Sequence, residues 1–291
     1  MKKLIPFLLI CLATSCKEYK PTFGVCTSVS QYPVAYQAGY TYVEPGVGSF
    51  LVPDQSDSVF MVNLAEQKRL DAKIISCNVF IPGLLKITGT ETKHDEIIVW
   101  AETTFSRAQQ AGIPFIVLGS GGARRVPENF SKQEATQQMI ALCKRLGPVA
   151  GKYNVTVVIE PLNSQETNII NSLKEGAEIV MAVDHPNIQL LCDIYHMLKD
   201  DEPASEILKY GQYIKHCHIA EKETRSAPGT MGDDFTEYFK ALKQIKYTGC
   251  ICIEGKWDDF ETRLSPALQY MQEQYCIRSG KNHEEPLKQT K

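Results

Sequence analysis

Short apolar runs rich in β-branched residues recur along the chain. Each is followed by a longer stretch whose apolar positions repeat every three to four residues. The runs fall at 23–29, 40–43, 73–79, 114–118, 156–159, 188–192, 214–217 and 251–253. Period-2 or continuous apolar character over about five residues is strand-like. The stretches between, about 12–18 residues long, carry helical periodicity. Helix punctuation supports this reading. Ser131-Lys132-Gln133-Glu134 forms a capping box ahead of Met139, Ile140 and Leu142. The stretch 95–110 is followed by Gly112 and Pro114, a helix stop. Helices are also expected over 172–183, 234–245 and 259–275.

Eight strand-then-helix units predict an α/β fold, a (β/α)8 TIM barrel in a single domain. An open doubly wound sheet usually has fewer strands and often carries a glycine-rich turn after its first strand. Here that strand leads into Cys26-Thr27-Ser28-Val29. The length of 291 residues fits one barrel of about 250 residues with short additions.

The N-terminus lies outside this pattern. Met1-Lys2-Lys3, an apolar stretch over 4–12 and small residues Ala13-Thr14-Ser15 precede Cys16. This is a signal peptide pattern over 1–15, too short to span a membrane. Small residues directly before a Cys resemble a bacterial lipoprotein signal, with Cys16 as the lipidated N-terminus and 16–22 as a tether. An ordinary cleaved signal is the alternative. Either reading makes the protein exported, and the lipoprotein reading anchors it to a membrane of the cell envelope through lipid alone. The barrel is expected over 23–278, and 279–291 is a polar tail.

Composition narrows the function classes. With 31 Lys and Arg against 34 Asp and Glu, the formal net charge is −3, so nothing basic points to nucleic acid. Export permits disulfides. Yet most of the eight Cys after Cys16 sit in strand runs such as Leu190-Leu191-Cys192 and Cys250-Ile251-Cys252, where Cys behaves as a small buried hydrophobe. No C-x-x-C pair suggests a zinc ribbon.

The candidate chemistry sits at the strand ends. Glu160, Asp193, His218 and Glu254 each close a strand, separated by 33, 25 and 36 residues, about one unit each. In a parallel barrel this places all four on neighbouring strands at the C-terminal face, where barrel active sites lie. A single strand-end acid is more often a cap or an ion-pair partner. Four in register are not explained that way. Burying three carboxylates together is costly without a cation, so the cluster implies one. Oxygen-rich donors suit Mn²⁺ or Mg²⁺, and one imidazole leaves Co²⁺ or Zn²⁺ open. Glu166, His196 and Arg225 lie on loops over the same mouth and are candidate substrate contacts. Glu44, just past the second strand, is placed to reach it as well. His216 shares a strand face with His218 but lies deeper, which suits packing or support. The Gly119–Arg125 loop offers backbone N–H groups and Arg124 or Arg125 to a ligand.

The segments Val158-Ile159-Glu160-Pro161-Leu162-Asn163, Asp193-Ile194-Tyr195-His196-Met197, His216-Cys217-His218-Ile219-Ala220-Glu221 and Ile253-Glu254-Gly255 resemble metal-strand motifs. The sequence resembles the xylose isomerase-like barrel superfamily that carries such motifs, in the branch of ketose 3-epimerases and hydroxypyruvate isomerase. The resemblance is specific in the C-terminal half and weaker in the N-terminal half. It implies one divalent metal on Glu160, Asp193, His218 and Glu254. Glu160 and Glu254 would be the acid/base pair, and Glu166, His196 and Arg225 would touch a small carbohydrate substrate. The expected activity is proton abstraction beside a carbonyl through an enediolate, giving epimerisation or isomerisation. A lyase or dehydratase acting on a keto-inositol or 3-keto-glycoside would use the same site. A non-catalytic carbohydrate-binding lipoprotein would not need paired carboxylates over a metal. An endonuclease IV-like repair enzyme, from the same superfamily, needs extra His ligands on the early strands, and none ends them here.

Overall fold

The computed structural model describes residues 20–276. The expected signal segment, Cys16 and the tail over 279–291 lie outside the described residues. The strands are β1 (Thr22–Cys26), β2 (Tyr42–Glu44), β3 (Ser76–Cys77), β4 (Phe115–Leu118), β5 (Thr156–Ile159), β6 (Ile188–Asp193), β7 (Ile214–Ile219) and β8 (Cys250–Ile253). The helices are α1 (Tyr32–Gln37), α2 (Val47–Phe50), α3 (Asp57–Arg69), α4 (His94–Ala111), α5 (Gly121–Arg124), α6 (Lys132–Lys152), α7 (Leu173–Val183), α8 (Ile194–Lys199), α9 (Ser205–Tyr210), α10 (Thr236–Gln244) and α11 (Phe260–Cys276).

All strand pairs are parallel, in the order β2-β1-β8-β7-β6-β5-β4-β3. The two ends of this ladder meet through single bridges, Val43 with Ile74 and Gly46 with Asn78, which bring the sheet round into a nearly closed barrel. The expected (β/α)8 TIM barrel in one domain is therefore present. The β2–β3 seam is its thinnest joint. The run over 73–79 was expected to be a full strand. It is a strand only over Ser76–Cys77, flanked by the single bridges of Ile74 and Asn78, and Val79 beyond them takes a left-handed φ of 53°.

Side-chain alternation sorts each strand into two sets. One set faces the helices. Ile116, Leu118, Val157, Ile159, Leu190, Cys192, Cys217, Ile251 and Ile253 are fully buried in one continuous core with the helical residues. The other set fills the barrel. Val117, Val158 and Leu191 form a small separate cluster against Phe115. On β1, Gly24 faces inward, where a Cβ would lie 2.2 Å from the Tyr42 ring, so only glycine leaves room for that ring. Towards the C-terminal face, the strand ends carry Glu44, Asn78, Gly119, Glu160, Asp193, His218 and Glu254.

The caps follow the sequence. Ser131 accepts from the Glu134 N–H at the start of α6, and Ser172 accepts from Glu175 at the start of α7. Gly112, at φ 72°, ends α4. The helix α3 was not anticipated. It buries only Phe60, Leu64 and Gln67, too few apolar positions to show a period. All eight described cysteines are free thiols, as expected. Among the described residues no helix is long and apolar enough to cross a membrane.

Candidate metal centre at the barrel mouth

Glu160, Asp193, His218 and Glu254 converge. Each offers a ligand atom, and these atoms lie within 4.8 Å of one another. Asp193 and His218 are direct partners in the β6–β7 register, and His218 pairs with Cys252, two residues before Glu254. His218 Nδ1 faces the cluster, 2.9 Å from Glu160 Oε1 and 3.7 Å from Glu254 Oε2.

The charges are crowded. Burial and then the neighbouring Glu160 push the Asp193 carboxyl up to about 8. Burial and Glu160 also raise Glu254. Burial opposes ionisation of Glu160 as well, but the hydrogen bond from His218, together with the charges of His218, His196 and Arg225, overcomes it and holds this carboxyl low. Burial likewise opposes the charge on His218, and Glu44 with Glu160 overcomes it. One Asp193 oxygen, Oδ1, caps α8 by accepting from Tyr195 N at 2.8 Å. The other, Oδ2, is buried with no hydrogen-bond partner. An orphaned carboxylate oxygen aimed into a cluster of three acids and one imidazole is the donor set that a divalent cation satisfies. The residues present fit such an ion.

The expected substrate contacts gather round this cluster. Arg225 Nη1 donates to Glu166 Oε1 at 3.0 Å, and Nη2 donates to Glu254 Oε2. Its guanidinium lies 4.7 Å from the centre of the Tyr195 ring. His196 Nδ1 accepts from the Asn163 N–H at 3.1 Å. That leaves Nε2 as the protonated nitrogen, buried and without a hydrogen-bond partner, 3.4 Å from Asp193 Oδ2. Burial pushes this imidazole down to about 3, so it is neutral.

Glu44 requires a correction. It does not open onto the mouth as a substrate contact. Its side chain is 0% exposed. Oε1 faces His218 Nε2 at 3.0 Å, and Oε2 takes His216 Nε2 at 2.7 Å together with the Ser76 hydroxyl. Both oxygens are committed beneath the site. Arg124 is likewise not free for a ligand. It is fully buried and donates to the Glu160 carbonyl at 2.8 Å and the Leu118 carbonyl at 3.3 Å, tying β4 to β5. Arg125 donates to the Glu166 carbonyl at 2.7 Å.

Three further residues complete the site. Asn163 Nδ2 reaches Glu166 Oε1 at 3.2 Å and His196 Nδ1 at 2.8 Å. Asn78 Nδ2 donates to Glu254 Oε1 at 3.1 Å. Gly119 leaves room for Glu160, since a Cβ there would lie 2.1 Å from Oε2. Asn78 and Gly119 each sit one residue past a strand, the same place that marked the acids, but amide and glycine carry no charge signal. A cavity of about 620 Å³ opens between Lys86, Thr88, Arg125 and Asn168. It contains none of the four donors, so donor chemistry and not the size of a hollow identifies the site.

Known proteins share this architecture. An L-ribulose 3-epimerase of Methylomonas sp. (strain DH-1) is 26% identical over 268 residues, covering 83% of this chain and 89% of that one. The solved structure of D-psicose 3-epimerase with D-tagatose from Clostridium cellulolyticum H10 superposes with a TM-score of 0.77 at 17% identity, covering 87% of this chain and 99% of the other. That of 3-keto-D-glucoside 4-epimerase from E. coli gives 0.74 at 20% identity, covering 87% and 100%. The sequence profile described as a xylose isomerase-like TIM barrel matches residues 33–279. With its fold and its rim of donors accounted for, the chain belongs to the xylose isomerase-like TIM barrel family.

Proposed function

We propose that this protein is a divalent-metal-dependent epimerase or isomerase of a small keto-sugar, with Glu160 and Glu254 as the proton-transferring pair. The convergence of Glu160, Asp193, His218 and Glu254, with the orphaned Asp193 oxygen turned into the cluster, is the observation that carries this reading. The relatives named above are sugar epimerases, which favours the same class of reaction here.

A bound cation of the Mn²⁺ or Mg²⁺ kind would supply Lewis acidity, drawing charge from the carbonyl and its neighbouring hydroxyl. The chain's own groups do the rest. Glu160 and Glu254 stand just past the ends of β5 and β8, on either side of the β7 residue His218. One carboxylate removes the C–H proton beside the carbonyl, and the other returns a proton to the opposite face. Return to the adjacent carbon gives isomerisation instead. Arg225 and Asn78 hold the two oxygens of Glu254 and fix its aim. Glu166, with Arg225 and Asn163, presents a polar rim for sugar hydroxyls. The His196 Nε2–H is a donor with no protein partner, suited to a substrate oxygen. The lipoprotein signal over 1–15 with Cys16 remains part of this proposal, and makes the substrate a sugar of the cell envelope or its surroundings.

The test is a screen of metal-reconstituted protein against ketopentoses, ketohexoses and keto-glycosides in D₂O, read by NMR. Deuterium should enter the carbon beside the carbonyl. Glu160→Gln and Glu254→Gln should each lower exchange by about 10²–10⁴-fold. Wild-type exchange in both variants would end the acid/base assignment.

A further inference from the structure

His218 presents two nitrogens to two different carboxylate groups. Nδ1 lies 2.9 Å from Glu160 Oε1 and faces the donor cluster, while Nε2 lies 3.0 Å from Glu44 Oε1 on the far side of the ring. An imidazole gives one nitrogen to an ion. With Nδ1 in the donor set, Nε2 carries the hydrogen, and the Glu44 carboxylate is there to accept it.

We propose that Glu44 is a positioning residue for metal binding: it holds the His218 ring and its Nε2–H tautomer from beneath the site. This rests on the metal-dependent reading above. A carboxylate at the centre of a barrel is costly to bury unless hydrogen-bonded. Glu44 is satisfied by three donors that have no other reason to meet. His218 and His216 come from β7 and Ser76 from β3, and all three point inward by strand parity. The arrangement is layered. Glu44 grips His218. His216 and Ser76 occupy Oε2, so the carboxylate cannot swing away, and they stand 3.3 Å from each other. The His216 ring stacks on Phe115, with centroids 6.2 Å apart and planes 13° from parallel, which fixes the lower layer. Such a carboxylate–imidazole–metal chain orients the ring and makes the ligating nitrogen a better donor. Removing the carboxylate typically lowers metal affinity about 10–100-fold.

The experiment compares wild type with Glu44→Gln by titrating Mn²⁺ into metal-free protein, followed by EPR, and by recording the visible spectrum of the Co²⁺-loaded form. Gln keeps the length of the side chain and an oxygen for Nε2–H but loses the charge. The expected result is Mn²⁺ affinity lower by about 10–100-fold with a shifted Co²⁺ spectrum, while the metal-free variant melts cooperatively. Wild-type affinity and an unshifted spectrum would overturn the proposal while leaving the metal-dependent reading intact. Wild-type protein that binds neither ion would overturn both. Should Glu44→Gln not fold, Ser76→Ala carries the test, since it frees one arm of the Glu44 clamp. A shifted Co²⁺ spectrum supports the proposal and an unshifted one refutes it.

Discussion

Gly119 illustrates how little space the proposed proton-transferring groups have. It follows β4 on the inward face, and a methyl group there would lie 2.1 Å from Glu160 Oε2. Nothing at that distance is tolerated, so Gly119→Ala must push the carboxylate aside or distort the rim. Because displacement of about 1 Å at a reacting group can cost 10²-fold, turnover should fall by about that factor. The melting temperature should drop by only the few degrees that an overpacked methyl costs. Steady-state kinetics beside a thermal melt would check this, and unchanged turnover would show that Glu160 does not work from where it stands. Legibility at this scale followed charge. Glu160, Asp193, His218 and Glu254 were readable because acids and imidazoles at strand ends are conspicuous. Asn163, Asn78 and Gly119 act by hydrogen bonding or by lacking a side chain, which leaves no such mark. Glu44 was visible at its strand end, but its depth and partners were not. Sequence distance does not reveal that Ser76, His216 and His218 will meet its two oxygens.

At the scale of elements, the loop after β7 is organised by one acid. Glu221 is fully buried, and its carboxylate accepts from the N–H groups of Gly229 at 2.8 Å and Gly232 at 2.9 Å, from Met231, and from the Ser226 hydroxyl at 3.2 Å. This loop carries Arg225 in a left-handed conformation, φ 52°, to its contacts with Glu254 and Glu166. Hydrogen bonds to charged groups contribute about 1.5–3 kcal/mol each. Removing the acceptor in Glu221→Ala should therefore speed hydrogen exchange of the 226–233 amides by at least about 10-fold and raise KM through misplacement of Arg225. Wild-type protection across the loop would show that Glu221 does not hold it. The helices α4, α6, α7, α10 and α11 were legible within a few residues, because each shows an apolar stripe with a cap or stop. α3 and the two-residue β3 were not. Their shape comes from neighbours, such as the turn at Val79 and the ladder partners of Ile74 and Asn78, rather than from a local pattern.

For the whole molecule, the crowded site sets how stability follows pH. In metal-free protein, Asp193 holds its proton up to about 8, and His218 holds its proton well above its usual range. Between pH 6.5 and 8 the unfolded chain has released its aspartate proton and releases the histidine one, while the folded chain retains more of both. Folding then binds protons, and stability must fall as pH rises. Below pH 6.5 His196, neutral in the fold, works the other way, which is why the window starts there. Differential melts at pH 6.5 and 8 should show the metal-free form losing on the order of 2 kcal/mol over this interval. Mn²⁺ should stabilise more at pH 8, since it replaces those protons. Metal-free stability that is flat or rising over the window would contradict the protonation pattern. The barrel itself was legible from its eight-fold alternation. How it closes was not, because closure depends on two isolated bridges. The Ser76 hydroxyl bonded to Glu44 reaches across that same β2–β3 joint, and Asn78, just past β3, spans to Glu254 at the end of β8. Where the backbone ladder is sparsest, side chains of the reactive end act as the clasp. Architecture and chemistry share those atoms, so wear on one loosens the other.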